Sequence, residues 1–309
     1  MIDPRRRRLP RLLPARALAL ACAVGGLALA GILPATAGAT PSHRDKSTTT
    51  TGHPTTTTTA PQPKTSCQSV AYIGDSTSES LISDDYIDPS QQLPAQFQRV
   101  GVQNVNLQIS GARSIVETYE GEPNAYTVAQ QLLSQGYHGC WVIAMGTNDA
   151  ADVEAGSNVL MPERIQRMES LIGNQPVMWV NVLSLLSSGY YEESGMAEWD
   201  QDLVLACPQY PDMEVYDWAS VAQNQPSWFI SDGIHYGSEG SAARSADIAN
   251  ALAAAFPAAP PRESSHSIAS DHSHRAKTTA ARSKDSTHGD SGSHRSTTTT
   301  TAPRNCVVQ

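Results

Sequence analysis

The stretch VAYIGDSTS, residues 70–78, begins with a short apolar run and turns polar at Gly74-Asp75-Ser76. Such a run, bounded by turn-forming residues, predicts a strand followed by a turn into a helix. A Ser at that turn can present its hydroxyl outward, and the amides of the next helical turn can stabilise an anion. The same tripeptide is also common as an ordinary helix cap. The stretch therefore predicts a strand and a turn, and it leaves the role of Ser76 open.

Similar apolar runs recur along the chain and alternate with helical patterns. The predicted strands are Val70–Gly74, Val105–Ile109, Trp141–Met145, Val177–Leu183 and Met213–Trp218. The predicted helices are Leu93–Val100, Tyr126–Leu133, Met161–Ile172, Met196–Ala206 and Ser238–Phe256. Strict alternation of this kind favours a parallel sheet with helices on both faces. In such sheets, binding and catalytic groups collect at the carboxyl ends of the strands.

Three further polar blocks follow predicted strands. After the second strand, Gly111 in Ser110–Ser114 would let the backbone approach a ligand and offer its amide. The third strand runs into Gly146-Thr147-Asn148-Asp149, which places an amide side chain at the sheet edge. Beyond the fifth strand, Asp232 and His235 lie three residues apart, so that one turn can direct both side chains to a single site.

Only two histidines lie between Cys67 and Phe256. His138 precedes the third predicted strand, which places it at the opposite edge of the sheet. A catalytic histidine in this domain would therefore be His235, although a loop histidine flanked by Ile234 and Tyr236 is also commonly structural.

Taken together, the four blocks resemble those of the SGNH hydrolase superfamily, also called the GDSL family. The matching residues are Gly74-Asp75-Ser76, Gly111, Gly146-Thr147-Asn148-Asp149 and Asp232-Gly233-Ile234-His235, in that order. The resemblance covers nearly all of Cys67–Phe256. It implies a three-layer α/β/α fold of the flavodoxin-like kind, in which the five predicted strands form one parallel sheet. Composition predicts that disordered tails flank this domain.

The resemblance also implies a role for each matching residue. Ser76 would be the nucleophile, His235 the base, and Asp232 the group that orients and stabilises the imidazolium. The Ser76 amide, the Gly111 amide and the Asn148 side chain would form the oxyanion hole. A serine hydroxyl is a weak nucleophile without an adjacent base, which is why this chemistry needs these residue types. The resemblance implies no metal and no cofactor.

Two departures from the family pattern narrow the expectation. The first block continues with Thr77 where the family usually has Leu, and Tyr236-Gly237-Ser238 follows the histidine where proline is frequent. Together with the lack of a long apolar lid, they argue against the lipase subset. The blocks look more like the exported domains that accompany envelope acyltransferases in actinobacteria. We interpret Asp75 and Asp149 as structural, because an Asp at such a position caps the next helix or braces the turn.

Composition confines the folded unit to Cys67–Phe256, because all 18 aromatic residues lie between Tyr72 and Phe256. This unit holds 24 acidic residues against five arginines and no lysine, a net charge of −19. Phosphate backbones require a basic face, so the charge excludes a nucleic-acid-binding function.

The flanks have the composition of export and spacer segments. Residues 1–39 predict a signal peptide, with six arginines, the apolar run Ala17–Leu33 and the small residues Ala35-Thr36-Ala37. An uncleaved membrane anchor is the alternative. Residues 40–66 form a Thr/Pro-rich linker, and 257–309 a disordered tail rich in Ser, His and Thr. The histidines of that tail could instead form a metal-binding tract.

Four cysteines follow the predicted signal peptide, which allows three full pairings in an oxidising compartment. The resembled fold makes the first and third strands neighbours, so we expect Cys67 to pair with Cys140. Cys207 and Cys306 are left to pair with each other or to stay free.

We therefore expect a secreted or envelope-associated esterase that hydrolyses small O-acyl groups, above all acetyl, on an envelope carbohydrate or lipid. It would keep no membrane span after signal cleavage. One alternative is an acyltransferase that uses the same residues. A second, of a different class, is a wall-binding module without catalytic activity.

Overall fold

A computed structural model describes residues 62–260 and 305–309. The predicted signal peptide, most of the predicted linker and residues 261–304 of the predicted tail lie outside the described residues. Among those described, no helix combines the length and apolar character needed to cross a bilayer.

The apolar runs form one parallel sheet, whose strands stand in the order β2-β1-β3-β4-β5-β6. The strands are β1 Ser69–Gly74, β2 Asn104–Ile109, β3 Cys140–Ala144, β4 Val177–Val180, β5 Met213–Tyr216 and β6 Val307–Val308. The chain reverses its direction of travel across the sheet between β1 and β3. Open α/β sheets bind their ligands at the carboxyl ends of the strands on either side of such a switch point.

Helices cover both faces of the sheet, and the α/β fold with three layers is confirmed. They are α1 Leu93–Arg99, α2 Ala125–Ser134, α3 Thr147–Glu154, α4 Met161–Ile172, α5 Glu193–Ala206, α6 Trp218–Ala222 and α7 Ser238–Ala255. Three 3₁₀ helices span Ser76–Ile82, Cys207–Gln209 and Pro226–Trp228.

Alternation along each strand supplies two cores, since successive side chains point to opposite faces. In β1, Ala71 and Ile73 belong to the core layer with α2, α3, α4 and α5. Val70 and Tyr72 belong to the other layer, with α1, α6 and α7. Both layers are therefore anchored on the strand that leads into Ser76.

The prediction of five strands was wrong by one, because the described residues form six. Val307 and Val308 pair in parallel with Val215 and Tyr216, although their composition predicts a disordered tail. Main-chain bonds fix the pairing, from Val215 N to Cys306 O (2.8 Å) and from Asp217 N to Val308 O (3.0 Å). A strand of two residues is too short for a periodicity argument, which is why the sequence pattern missed it.

The described residues contain two disulfides. Cys67 bonds to Cys140 with 5.7 Å between their Cα atoms, just where Val70 of β1 lies opposite Cys140 of β3. Cys207 bonds to Cys306 and ties β6 to the end of α5. Two disulfides fit a protein that folds in an oxidising compartment.

Candidate active site

Ser76 lies at the carboxyl end of β1, as the first residue of the 3₁₀ helix Ser76–Ile82. Asp75 caps this helix, because its Oδ1 accepts hydrogen bonds from Thr77 N (2.9 Å) and Thr77 Oγ1 (2.6 Å). Asp75 is fully buried, and burial raises its pKa. Gly74 must lack a side chain, since a Cβ there would lie 2.5 Å from Ser78 Oγ and 2.8 Å from the Tyr72 ring. The Gly74-Asp75-Ser76 block is thus a tight turn that fixes the direction of Ser76.

His235 and Asp232 lie on a turn after the 3₁₀ helix Pro226–Trp228, and they complete a chain of hydrogen bonds with Ser76. The distance from Ser76 Oγ to His235 Nε2 is 2.8 Å, and that from His235 Nδ1 to Asp232 Oδ2 is 2.7 Å. A carboxylate accepts only, so Nδ1 carries the ring proton in the neutral imidazole and Nε2 is left to accept from the serine hydroxyl.

Asp232 holds this turn together with its other oxygen. Its Oδ1 accepts hydrogen bonds from Ile234 N (2.9 Å) and His235 N (3.0 Å). Partial burial would raise the pKa of Asp232, but these amide bonds and the His235 ring outweigh burial and lower it. Asp232 is therefore an anion across the neutral pH range and can stabilise a positive charge on His235.

Neighbouring segments fix the orientation of the turn. Gly233 adopts a φ of +72°, and its carbonyl oxygen accepts a hydrogen bond from Leu185 N (2.8 Å) on the segment after β4. A Cβ on Gly233 would lie 3.2 Å from Leu186 Cδ2. His235 O accepts from Ile230 N (2.9 Å), which closes the turn. The Asp232–His235 geometry thus depends on main-chain contacts more than on side-chain packing.

Asn148 enters the same edge from the first turn of α3. Gly146 precedes it with a φ of +137°, and the Trp199 indole occupies the space that a Cβ on Gly146 would need. Asn148 Nδ2 donates to Arg113 O (3.0 Å) and, more weakly, to Asp75 Oδ2 (3.5 Å). Asn148 Oδ1 accepts from Tyr191 Oη (3.1 Å). The carboxamide thereby joins the Ser76 turn to the segment after β2.

Gly111 lies on that segment, next to the helix that begins with Ser76. A Cβ on Gly111 would lie 3.2 Å from Glu79 Oε1 of this helix, and Ser110 N donates to Gly74 O (3.2 Å). Arg113 folds the segment by donating to Gln108 O (2.5 Å) and Pro123 O (3.2 Å). The structure therefore brings all five predicted site residues to the β1–β3 switch point: Ser76, Gly111, Asn148, Asp232 and His235.

An ionic network, which we define as Asp149, Arg164 and Glu117, lies behind Asn148. We call it the buried network because the side chains of Asp149 and Arg164 are fully buried, whereas Glu117 at its edge is partly exposed. Asp149 Oδ1 accepts from Ile115 N (2.8 Å) and from Arg164 Nη1 (2.9 Å). Arg164 of α4 also donates to both carboxylate oxygens of Glu117, at 2.6 and 2.7 Å. Burial would raise the pKa of Glu117, but the bonds from Arg164 and Ser157 lower it to about 2. The network clamps α3 and α4 to the segment that carries Gly111.

Three residues that support the site were not predicted from the sequence: Tyr191, Arg164 and Glu117. Each lies more than ten residues from the residue that it contacts in the site, so no local motif marks it. Position after a strand is the one usable signal, and it applies to Tyr191, between β4 and α5, and to Glu117, between β2 and α2. The remaining histidine of the domain, His138, is exposed at the start of β3, at the opposite edge of the sheet. Within the described ranges, no group of three His, Cys, Asp or Glu side chains could hold a metal ion.

No protein-family model matches the chain, and no curated protein matches it. Several solved structures are similar to this chain in fold. A lipase/acylhydrolase from Enterococcus faecalis is 17% identical with a TM-score of 0.48, over 61% of this chain and 97% of that one. A carbohydrate acetylesterase from Sinorhizobium meliloti is 18% identical with a TM-score of 0.43, over 61% and 100%. The catalytic domain of a peptidoglycan O-acetyltransferase from Streptococcus pneumoniae is 13% identical with a TM-score of 0.45, over 61% and 92%.

Proposed function

We propose that the protein is an exported serine esterase of the SGNH type that hydrolyses small O-acyl esters, above all acetyl esters, on a cell-envelope carbohydrate or lipid. The observation that carries this proposal is the hydrogen-bonded chain from Ser76 Oγ through the His235 ring to Asp232 Oδ2, at 2.8 and 2.7 Å. Nucleophile, base and orienting acid are thus within reach of one another before any substrate binds.

Acylation begins when Ser76 Oγ attacks the ester carbonyl carbon and its proton passes to His235 Nε2. The carbonyl electron pair moves onto the oxygen, and Asp232 stabilises the imidazolium through the Nδ1 proton. The alcohol oxygen then departs with the proton from Nε2, which leaves the acyl group on Ser76. Water, deprotonated by His235, attacks this acyl-enzyme and releases the acid. Ester and water give acid and alcohol, and every group of the enzyme regains its proton.

Three donors would stabilise the developing oxyanion: the Ser76 amide, the Gly111 amide and Asn148 Nδ2. One Asn148 N–H bonds firmly to Arg113 O, whereas the other makes only a long contact with Asp75 Oδ2. This second N–H is the one that would turn to the oxyanion. A single donor of this kind is commonly worth about 3 to 4 kcal/mol of barrier.

The surroundings of the triad support a short acyl group. His235 and Asp232 expose 36% and 41% of their side chains, so the site is open to solvent. The exposed apolar side chains on segments bonded to the Asp232–His235 turn include Leu185 and Ile230, whose amides donate to Gly233 O and His235 O. Burying a palmitoyl chain would require shielding about fourteen methylenes, each worth roughly 0.8 kcal/mol. Two apolar side chains can shield an acyl group of two to four carbons, but they cannot shield a palmitoyl chain.

A panel of nitrophenyl acetate, butyrate and palmitate, assayed below micelle-forming concentrations, tests the proposal. We expect much higher kcat/KM values for acetate and butyrate than for palmitate, and loss of all turnover in Ser76→Ala. A Ser76→Ala variant that keeps more than a few per cent of the wild-type rate would show that Ser76 is not the nucleophile. A higher kcat/KM for palmitate than for butyrate would indicate a long-chain lipase instead. Parallel assays with saccharide acceptors separate hydrolysis from acyl transfer, since transfer yields an acylated saccharide at the expense of free acid.

A further inference from the structure

The carboxamide of Asn148 has a partner on both sides, and the two partners fix its orientation. Arg113 O can only accept, so it must face the Nδ2 end of the amide. Tyr191 Oη then lies 3.1 Å from Oδ1, where the phenol must be the donor. Asn148 is 8% exposed, so without Tyr191 its Oδ1 would be an almost completely buried acceptor that has lost its partner.

Tyr191 is itself held in place. Its ring is half-buried and packs against the core layer of α2–α5. The backbone on its C-terminal side is fixed by hydrogen bonds from Glu192 N to Gly189 O (3.0 Å) and from Glu193 N to Leu186 O (2.8 Å). Burial raises the pKa of Tyr191, with the carboxylates of Asp152 and Asp75 acting in the same direction. The hydroxyl therefore keeps its proton over the whole pH range in which the ester assay is run.

We propose that Tyr191 is a positioning residue for the oxyanion hole: its hydroxyl holds the Asn148 carboxamide so that one N–H faces the oxygen of the reacting carbonyl. This inference rests on the proposed function. A donor to the amide oxygen also polarises the amide, which strengthens its N–H groups as donors. Both effects matter most when negative charge develops, so they act on the transition state more than on substrate binding.

The adjacent residue supplies a matched control. Tyr190 exposes 61% of its surface, more than any other large hydrophobic side chain of the described residues. Tyr190→Phe and Tyr191→Phe remove the same atom from neighbouring positions of one segment. Neither change alters the ring, so both variants are expected to fold, and their unfolding temperatures verify this.

The experiment is a double-mutant cycle on nitrophenyl butyrate hydrolysis, with kcat and KM measured separately. We expect Tyr191→Phe to lower kcat roughly tenfold with KM changed less than about twofold, and Asn148→Ala to lower kcat by about a hundredfold or more. In the Asn148→Ala background, Tyr191→Phe should have no further effect, because the group that it orients is gone. Tyr190→Phe should match the wild type.

Three outcomes would overturn the inference. The first is an unchanged kcat in Tyr191→Phe, and the second is an equal loss from Tyr191→Phe with and without Asn148. The third is a raised KM at constant kcat, which would indicate direct substrate contact. The proposed function fails separately, through activity that persists in Ser76→Ala. An inactive Ser76→Ala together with a fully active Tyr191→Phe would remove only the role of Tyr191.

Discussion

His235 and Asp232 expose 36% and 41% of their side chains, whereas Asp149 and Arg164, which support Asn148, expose none. The first pair belongs to a turn in which Asp232 Oδ1 accepts hydrogen bonds from amides two and three residues away. The second pair belongs to a buried network that joins α3, α4 and the segment after β2. The two sides of the candidate site are therefore built on different physical principles.

The difference fits what each side does in the proposed mechanism. A residue that carries a proton must change its charge, and contact with water keeps the free-energy cost of that change small. An N–H that donates to an oxyanion must keep a fixed orientation, which requires rigid surroundings. We therefore expect changes on the triad turns, Ser76 and Asp232–His235, to reduce activity and spare stability. Changes in the buried network should reduce stability first.

The largest expected effect is on the triad turns. His235→Ala should lower kcat on nitrophenyl butyrate by roughly ten-thousandfold or more, since in the proposed mechanism Ser76 loses its base. The free energy of unfolding should change by less than about 1 kcal/mol, because the ring is partly exposed and Asp232 keeps its bonds to the turn amides. His138→Ala, at the opposite edge of the sheet, is the control and should change neither quantity. A substantial loss of stability in His235→Ala would contradict the expectation that changes on the triad turns spare stability.

The next effect is on the buried network. Arg164→Leu should lower the free energy of unfolding by about 3 to 5 kcal/mol, because it leaves the carboxylate of Asp149 buried without its cation. Arg167→Leu changes the same residue type one turn later on α4, where Arg167 forms an exposed pair with Glu163. That variant should cost at most about 0.5 kcal/mol. Urea unfolding measures both, and equal costs would contradict the role assigned to the network.

A smaller effect concerns a buried acid that lacks an arginine. Glu169 of α4 accepts a hydrogen bond from Trp179 Nε1 (2.6 Å), and burial raises its pKa to about 7. The unfolded chain ionises this group near pH 4.5, so the folded state loses stability as pH rises from about 4.5 to 7. Glu169→Gln keeps an acceptor for Trp179 and removes this loss.

Urea unfolding at pH 5 and pH 8 tests this expectation. The stability of Glu169→Gln relative to wild type should increase by up to about 3 kcal/mol between the two pH values. A relative stability that does not change with pH would mean that Glu169 ionises in the folded protein as it does in solvent.

The same contrast explains what could be predicted from the sequence. The triad turns are short blocks at strand ends, with Asp232 and His235 three residues apart, so a linear pattern indicates them. The network is assembled from residues 15 to 47 positions apart, and β6 reaches β5 from beyond residue 304, so no local pattern contains either. The pattern does not fix where strands end. The predicted strand Val177–Leu183 ends at Val180 in the structure. The next residue, Asn181, donates from its side chain to Asp217 Oδ1 (2.9 Å) and accepts from Ala219 N (2.8 Å).

The most direct test of the central claim is covalent trapping of the nucleophile. The full-length protein is treated with a fluorophosphonate, and the modified peptide is identified by mass spectrometry. We expect one organophosphoryl adduct, located on Ser76 and absent from Ser76→Ala. Labelling should be greatly slowed in His235→Ala and should abolish the esterase activity of the wild type. An unlabelled folded wild type, or an adduct that persists in Ser76→Ala, would contradict it.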